Sequence, residues 1–168
     1  MRTGFRATIG AAVAAGVLAV AGMGTASAQV PKTCTWGGTP LAPTAQNYVP
    51  QGLSNTASTQ PVYFHAVGPL GGQCHGTMIF DGYMDAGASC GSANFHARVY
   101  GLPGIRSVAG TLVAGLSPAK LYDRHGNLVG SENANFLSDP SSITACNTPQ
   151  GVTHNRFSSL IELFGTHP

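Results

Sequence analysis

The stretch Ser92-Ala93-Asn94-Phe95-His96-Ala97-Arg98-Val99-Tyr100 decides the reading of this chain. Phe95, Ala97 and Val99 fall on one parity, while Asn94, His96 and Arg98 fall on the other. A period of two marks a strand with one buried and one wet face. Gly101-Leu102-Pro103-Gly104 follows as a turn.

The same punctuation repeats on both sides. Upstream, Val62–Gly68 and Gly76–Met84 read as strands, separated by Gly71-Gly72. Asp85–Gly91 is a Gly/Ser loop. Downstream, Ile105–Leu116 reads as one long strand with Val108, Leu112, Ala114 and Leu116 on one face, and Ser117-Pro118 breaks it. Lys120–Asp123 is a short strand before the hairpin turn Asp123-Arg124-His125-Gly126-Asn127, in which Asp123 orders the turn. Leu128–Leu137 continues as a strand, Ser138–Gly151 is a loop, and Val152–Phe164 closes the domain. Gln29–Gly38 leads in, Thr39–Pro50 is extended, and Asn55–Pro61 is a polar turn region.

The expectation is an all-β domain of about seven or eight strands without a helix. Short turns favour sequential pairing, hence an antiparallel up-and-down β-barrel, with a β-sandwich as the alternative. Sparse Glu, Lys and Arg beside plentiful Gly, Ser, Thr and Asn fits pleated surfaces better than helical ones. The inward candidates are Phe64, Met78, Phe80, Phe95, Val99, Leu112, Phe136, Phe157 and Leu163. They would either fill the barrel or line a cavity for an apolar ligand.

The N-terminus reads as an export signal. Arg2 and Arg6 precede the apolar run Ala7–Val20, and Ala26-Ser27-Ala28 supplies the small residues a signal peptidase accepts. We expect residues 1–28 to form a signal peptide helix cleaved between Ala28 and Gln29, and residues 29–168 to form a single secreted β domain. The run is too short and too rich in Gly and Ala for a stable membrane anchor. Arg2 and Arg6 are not adjacent, and Cys34 stands apart from the cleavage position, so neither twin-arginine export nor lipidation is expected. No membrane anchor is expected after cleavage.

The leader arginines carry the formal net charge of +2. Lys32, Lys120, Arg98, Arg106, Arg124 and Arg156 balance Asp81, Asp85, Asp123, Asp139, Glu132 and Glu162 in the remainder. A neutral domain without a basic stripe argues against nucleic-acid binding.

All four cysteines, Cys34, Cys74, Cys90 and Cys146, follow the leader, and an even count in an exported chain implies two disulfides. In a meander, successive turns fall at alternate ends. The turns near Cys74 and Cys90 are then one strand apart, ~30 Å at about 3.3 Å per residue, against the ~6 Å a disulfide spans. Counting onward returns the Ser138–Gly151 loop to the Cys90 end. The preferred pairs are Cys90–Cys146 and Cys34–Cys74; Cys74–Cys90 with Cys34–Cys146 is the alternative.

Motifs for chemistry are sparse. His65, His75, His96, His125, His154 and His167 form none of the H-x-H, H-x-x-x-H or H-E-x-x-H spacings of a metal site. His65 and His96 lie in strands and could meet partners across a sheet. Asp81 and Asp85 are the candidate carboxylates for hydrolytic work. No G-x-S-x-G elbow or phosphate loop occurs. No catalytic, cofactor-binding or metal residue is assigned, and no cofactor is expected.

The pattern Cys34-Thr-Trp-Gly-Gly38, Gly101-Leu-Pro-Gly104, Leu121-Tyr-Asp123 with Gly126-Asn127, and Asn147-Thr-Pro149 resembles small exported proteins of actinobacteria. That resemblance implies secretion and carries over no activity or binding residue. The leading functional expectation is a non-catalytic extracellular barrel that binds a small apolar ligand or a cell-surface partner. A structural or cell-envelope-associated protein is the second, and an extracellular hydrolase or enzyme inhibitor the third.

Overall fold

The computed structural model describes residues 31–136 and 139–165. The leader helix, the Ala28–Gln29 cleavage position and His167 lie outside the described residues.

Strand parity builds the wall. After β1 (Lys32–Trp36) and the small hairpin β2 (Gly38–Thr39) and β3 (Ala42–Pro43) come eight strands: β4 (Ala45–Leu53), β5 (Val62–Gly72), β6 (Thr77–Met84), β7 (Ser92–Tyr100), β8 (Ser107–Val113), β9 (Leu116–Tyr122), β10 (Leu128–Asn135) and β11 (Val152–Leu163). Each pairs antiparallel with the next, and β11 pairs back onto β4 to close the barrel.

Strands β1 and β4 are two halves of one stave. Both lie between β5 and β11: Trp36 stands opposite Leu70 and Ser159, and Gln46 opposite Val67 and Arg156. The residues between them loop out as the β2–β3 hairpin. Its base is pinned by hydrogen bonds from the Gly37 amide to Pro69 O and from the Thr44 amide to Gly37 O. Gly37 adopts φ +77°, and a Cβ there would fall 2.3 Å from Ala45 Cβ, so only glycine allows the stave to resume.

Apolar residues of the alternating pattern point inward. Of the nine inward candidates all are buried except Phe136, which is half-buried at one mouth. Trp36 has no exposed surface. Its ring lies 4.5 Å from Phe80 and 4.9 Å from Phe157, and its indole N–H donates to Gly68 O at 3.1 Å. The five tyrosines all sit on outward positions of β4, β5, β6, β7 and β9.

The disulfides join Cys34 to Cys74 (Cα–Cα 5.3 Å) and Cys90 to Cys146 (Cα–Cα 6.0 Å). The first ties β1 to the β5–β6 turn; the second ties the β6–β7 loop to the β10–β11 connection.

Three local expectations are corrected. The strand read as Ile105–Leu116 ends at Val113, because Ala114 (φ 49°) and Gly115 (φ 84°) form a two-residue hairpin turn with both φ positive. Leu116 and Ala114 therefore leave the inner face, and Leu116 is exposed. Pro118 does not break the chain: it lies inside β9, opposite Asn133, where the β8–β9 pairing skips between Gly110–Ala119 and Val113–Leu116. The missing N–H falls in that gap. The loop read as Ser138–Gly151 contains a short helix, α1 (Pro140–Cys146), with Asp139 accepting from the Ser141 amide and proline in the first turn.

Gly68 tests the packing of the split stave. A Cβ there would lie 2.6 Å from Ala45 Cβ, 2.8 Å from Ala45 Cα and 3.0 Å from Trp36 Nε1. Gly68→Ala is expected to lower unfolding stability by about 1–3 kcal/mol, the usual range for overpacking, measured by urea denaturation. An unchanged midpoint would contradict the close approach of β4, β5 and Trp36.

Candidate functional site

The inner faces of the strands fill the barrel unevenly. At the Cys34–Cys74 end, Trp36, Leu121, Val129 and Ile161 pack without exposed surface. Toward the Cys90–Cys146 end a partly open cavity of about 50 Å³ remains. Phe64 from β5, Phe80 from β6 and Phe95 from β7 line it, together with Phe136 just beyond β10 and Leu112 from β8. That size suits one or two waters at about 30 Å³ each, well below the 300 Å³ and more of drug-sized sites.

Three polar side chains enter this apolar space: Asn47 from β4, Glu132 from β10 and Asn155 from β11. They are 8%, 2% and 4% exposed. Strand parity puts them there. Glu132 shares its face with Ala134, Asn155 shares its face with Phe157, and Asn47 stands between Ala45 and Val49.

The two asparagines form a directed chain. Asn155 Nδ2 donates to Phe136 O at 2.6 Å. A backbone carbonyl only accepts, so this bond fixes which end of the Asn155 amide points which way. Asn155 Oδ1 then receives Asn47 Nδ2 at 3.1 Å. Asn47 Oδ1 is left buried without a partner.

Glu132 is the second unsatisfied group. Its Oε1 is buried without a hydrogen-bond partner. Burial pushes its carboxyl from the ordinary 4.5 to about 8, because no cation compensates the desolvated charge. The Ser159 side chain, diagonal to it across the β10–β11 pair, opposes that rise, yet the Ser159 hydroxyl makes no well-formed hydrogen bond. At neutral pH Glu132 is a protonated acid in an apolar room.

Connecting segments cover part of this end. The Asn55 amide donates to Cys146 O, the Cys90 amide to Ser54 O, and the Ser58 amide to Ala88 O. Asn55 Nδ2 donates to Asn147 Oδ1 at 2.8 Å. With Cys90–Cys146 these bonds stitch three connecting segments into one lid.

The residues singled out in the sequence lie elsewhere, on the outer wall. Asp81 contacts His65 across β5–β6 through Oδ1 and Nδ1, and Asp85 Oδ2 stands 3.9 Å from His96 Nε2. Both pairs are about half exposed. His154 stacks on Tyr48 at 4.8 Å between centroids, and His96 on Tyr83 at 5.6 Å. His125 accepts from Arg124 Nε at 2.9 Å, and His75 is exposed in the β5–β6 turn. Asp123 accepts from the His125 and Asn127 amides and from Asn127 Nδ2, and the Asn127 bonds lower its carboxyl below the ordinary range; it orders its turn. Among the described residues, no three of His, Cys, Asp and Glu gather as a metal site would require.

Linkage gives Glu132 a measurable signature. The unfolded carboxyl loses its proton near 4.5 and the folded one near 8, so between these values the native state holds the extra proton and stability falls as pH rises. At about 1.4 kcal/mol per pH unit the penalty at pH 7 is of order a few kcal/mol. Glu132→Gln is expected to match the wild type below about pH 4.5 up to a constant offset, and to gain on it progressively up to pH 8, read by denaturation at several pH values. A stability difference independent of pH would contradict the buried, neutral acid.

No protein-family model matches this chain, and no curated protein or solved structure is similar to it.

Proposed function

We propose that this protein is an exported, non-catalytic carrier whose barrel interior holds a small, largely apolar molecule with one polar end. The observation that carries this reading is the cavity itself, with phenylalanine walls and with Asn47, Glu132 and Asn155 among its lining residues. A core selected only for packing would put apolar side chains at positions 47 and 132, since unsatisfied buried polar atoms each cost about 1–3 kcal/mol. The leader-like residues 1–28 support export, and two disulfides are compatible with an extracellular location. The volume of about 50 Å³ restricts a ligand held without repacking of the walls to about two water-sized groups.

A second reading, a cell-surface partner on the outer wall, draws support from Tyr48, Tyr63, Tyr83 and Tyr100, all exposed on adjacent strands. The hydrolase reading has less support. The His65–Asp81 and His96–Asp85 pairs stand on an open strand surface, where water is not excluded.

The test is mass spectrometry of small molecules released on denaturing protein purified from its native culture medium. The wild type is expected to release one compound in near-stoichiometric amount. Leu112→Phe, which enlarges a side chain lining the cavity, is expected to release none while remaining folded. Wild-type protein that releases nothing and does not admit xenon would overturn the carrier reading.

A further inference from the structure

The chain has five tyrosines, and Tyr63, Tyr83, Tyr100 and Tyr122 line one shallow, open groove on the outer wall. Register brings them together. Tyr63 on β5 stands opposite Tyr83 on β6, and Tyr83 opposite His96 on β7, with ring centroids 6.3 Å and 5.6 Å apart. Tyr100 ends β7, and Tyr122 ends β9 opposite Ser107 on β8. The outward positions of β8 that enter the groove carry the small residues Ser107 and Ala109, so the wall dips between the rings.

The middle of the groove is polar. Asp81 on β6 stands opposite Arg98 on β7, and Arg98 stands opposite Ser107. Asp81 contacts His65, whereas Arg98 makes no hydrogen bond or ion pair among the described residues. Its guanidinium donors are open to a ligand.

This arrangement reverses that of a protein-docking patch, in which an apolar centre is ringed by polar groups. It also lacks the basic stripe a phosphate backbone needs, because Asp81 faces Arg98 in the same row. Rings around a polar centre suit a molecule that carries both characters on one small frame. A pyranose sugar does so: its C–H face packs against an aromatic ring, and its hydroxyls leave at the edge. The Asp81 carboxylate accepts from such hydroxyls and the Arg98 guanidinium donates to them. The balanced pair matches a sugar without charge.

We propose that this groove binds a neutral polysaccharide, with sugar rings stacked on its tyrosines and hydroxyls held by Asp81 and Arg98. The assignment rests on the second reading above, a partner on the outer wall, and names that partner's chemistry. It does not depend on the barrel interior.

The test is affinity electrophoresis of the intact disulfide-bonded protein in native gels containing laminarin, xylan, mannan or hydroxyethyl cellulose, against a gel without polysaccharide. At least one polysaccharide is expected to retard the wild type. Tyr83→Ala and Tyr100→Ala are each expected to weaken that binding roughly tenfold, as the loss of one stacked ring implies. Tyr83→Phe keeps the ring and is expected to keep most of the binding. Asn133→Ala, on β10 outside the groove, is expected to change nothing. These side chains point outward, and urea midpoints equal to that of the wild type check that the variants fold. Retardation that survives both Tyr83→Ala and Tyr100→Ala would overturn this groove as the site. If no polysaccharide retards the wild type, the glycan assignment is overturned. Binding of fluorescently labelled protein to cells of the producing organism then separates the two readings: bound cells leave the surface partner standing, and unbound cells overturn it as well.

Discussion

The barrel depends on the edge of β11 that faces the chain's first stave. Val152–Phe157 of that strand pair with β4, and Ser159–Leu163 pair with β1. A meander of strands ends in two open edges, and open edges invite association with other chains. Here the last strand meets the first stave along nearly its whole length, so both edges vanish. The stave can be interrupted because β1 and β4 are held on both sides, by β11 and by β5. The interruption also decides what fills the barrel. It delivers Trp36 between Phe80 and Phe157, over the bare Cα of Gly68.

Trp36 divides the interior in two. One half is packed by large side chains and closed by Cys34–Cys74. The other keeps the cavity, its three polar residues and the Cys90–Cys146 lid. Stability and binding thus draw on different ends of the same barrel. The packed end supplies apolar burial, while the cavity end gives some of it back by holding a carboxyl away from water. A fold with surplus stability at one end can tolerate such a deficit at the other.

Much of the architecture is legible in the sequence because a two-residue period and glycine turns act locally. Phe95, Ala97 and Val99 announce their face without knowledge of any neighbour. The parts that were misread depend on partners. Pro118 looks like a terminator until its missing N–H is matched to the gap in the β8–β9 ladder. Asp139-Pro140 carries a helix-start signal, yet one short helix is easily hidden in a Gly/Ser/Thr-rich loop. The site was harder still. Glu132 enters the sequence reading only as one charge in a neutral balance, although its parity with Ala134 and Phe136 places it inside. The His65–Asp81 contact requires the β5–β6 register, and the chain from Phe136 through Asn155 to Asn47 joins three separate segments. Periodicity gives the face of a residue; only register and closure give its company.

A neutral carboxylic acid stands inside this barrel at physiological pH. The chain has two glutamates, Glu132 and the exposed Glu162, so carboxyl-carbon NMR of glutamate-labelled protein reads both without ambiguity. The resonance lost in Glu132→Gln is expected to titrate near pH 8. Titration of that resonance near 4.5 would show instead that Glu132 is an ordinary solvated carboxylate.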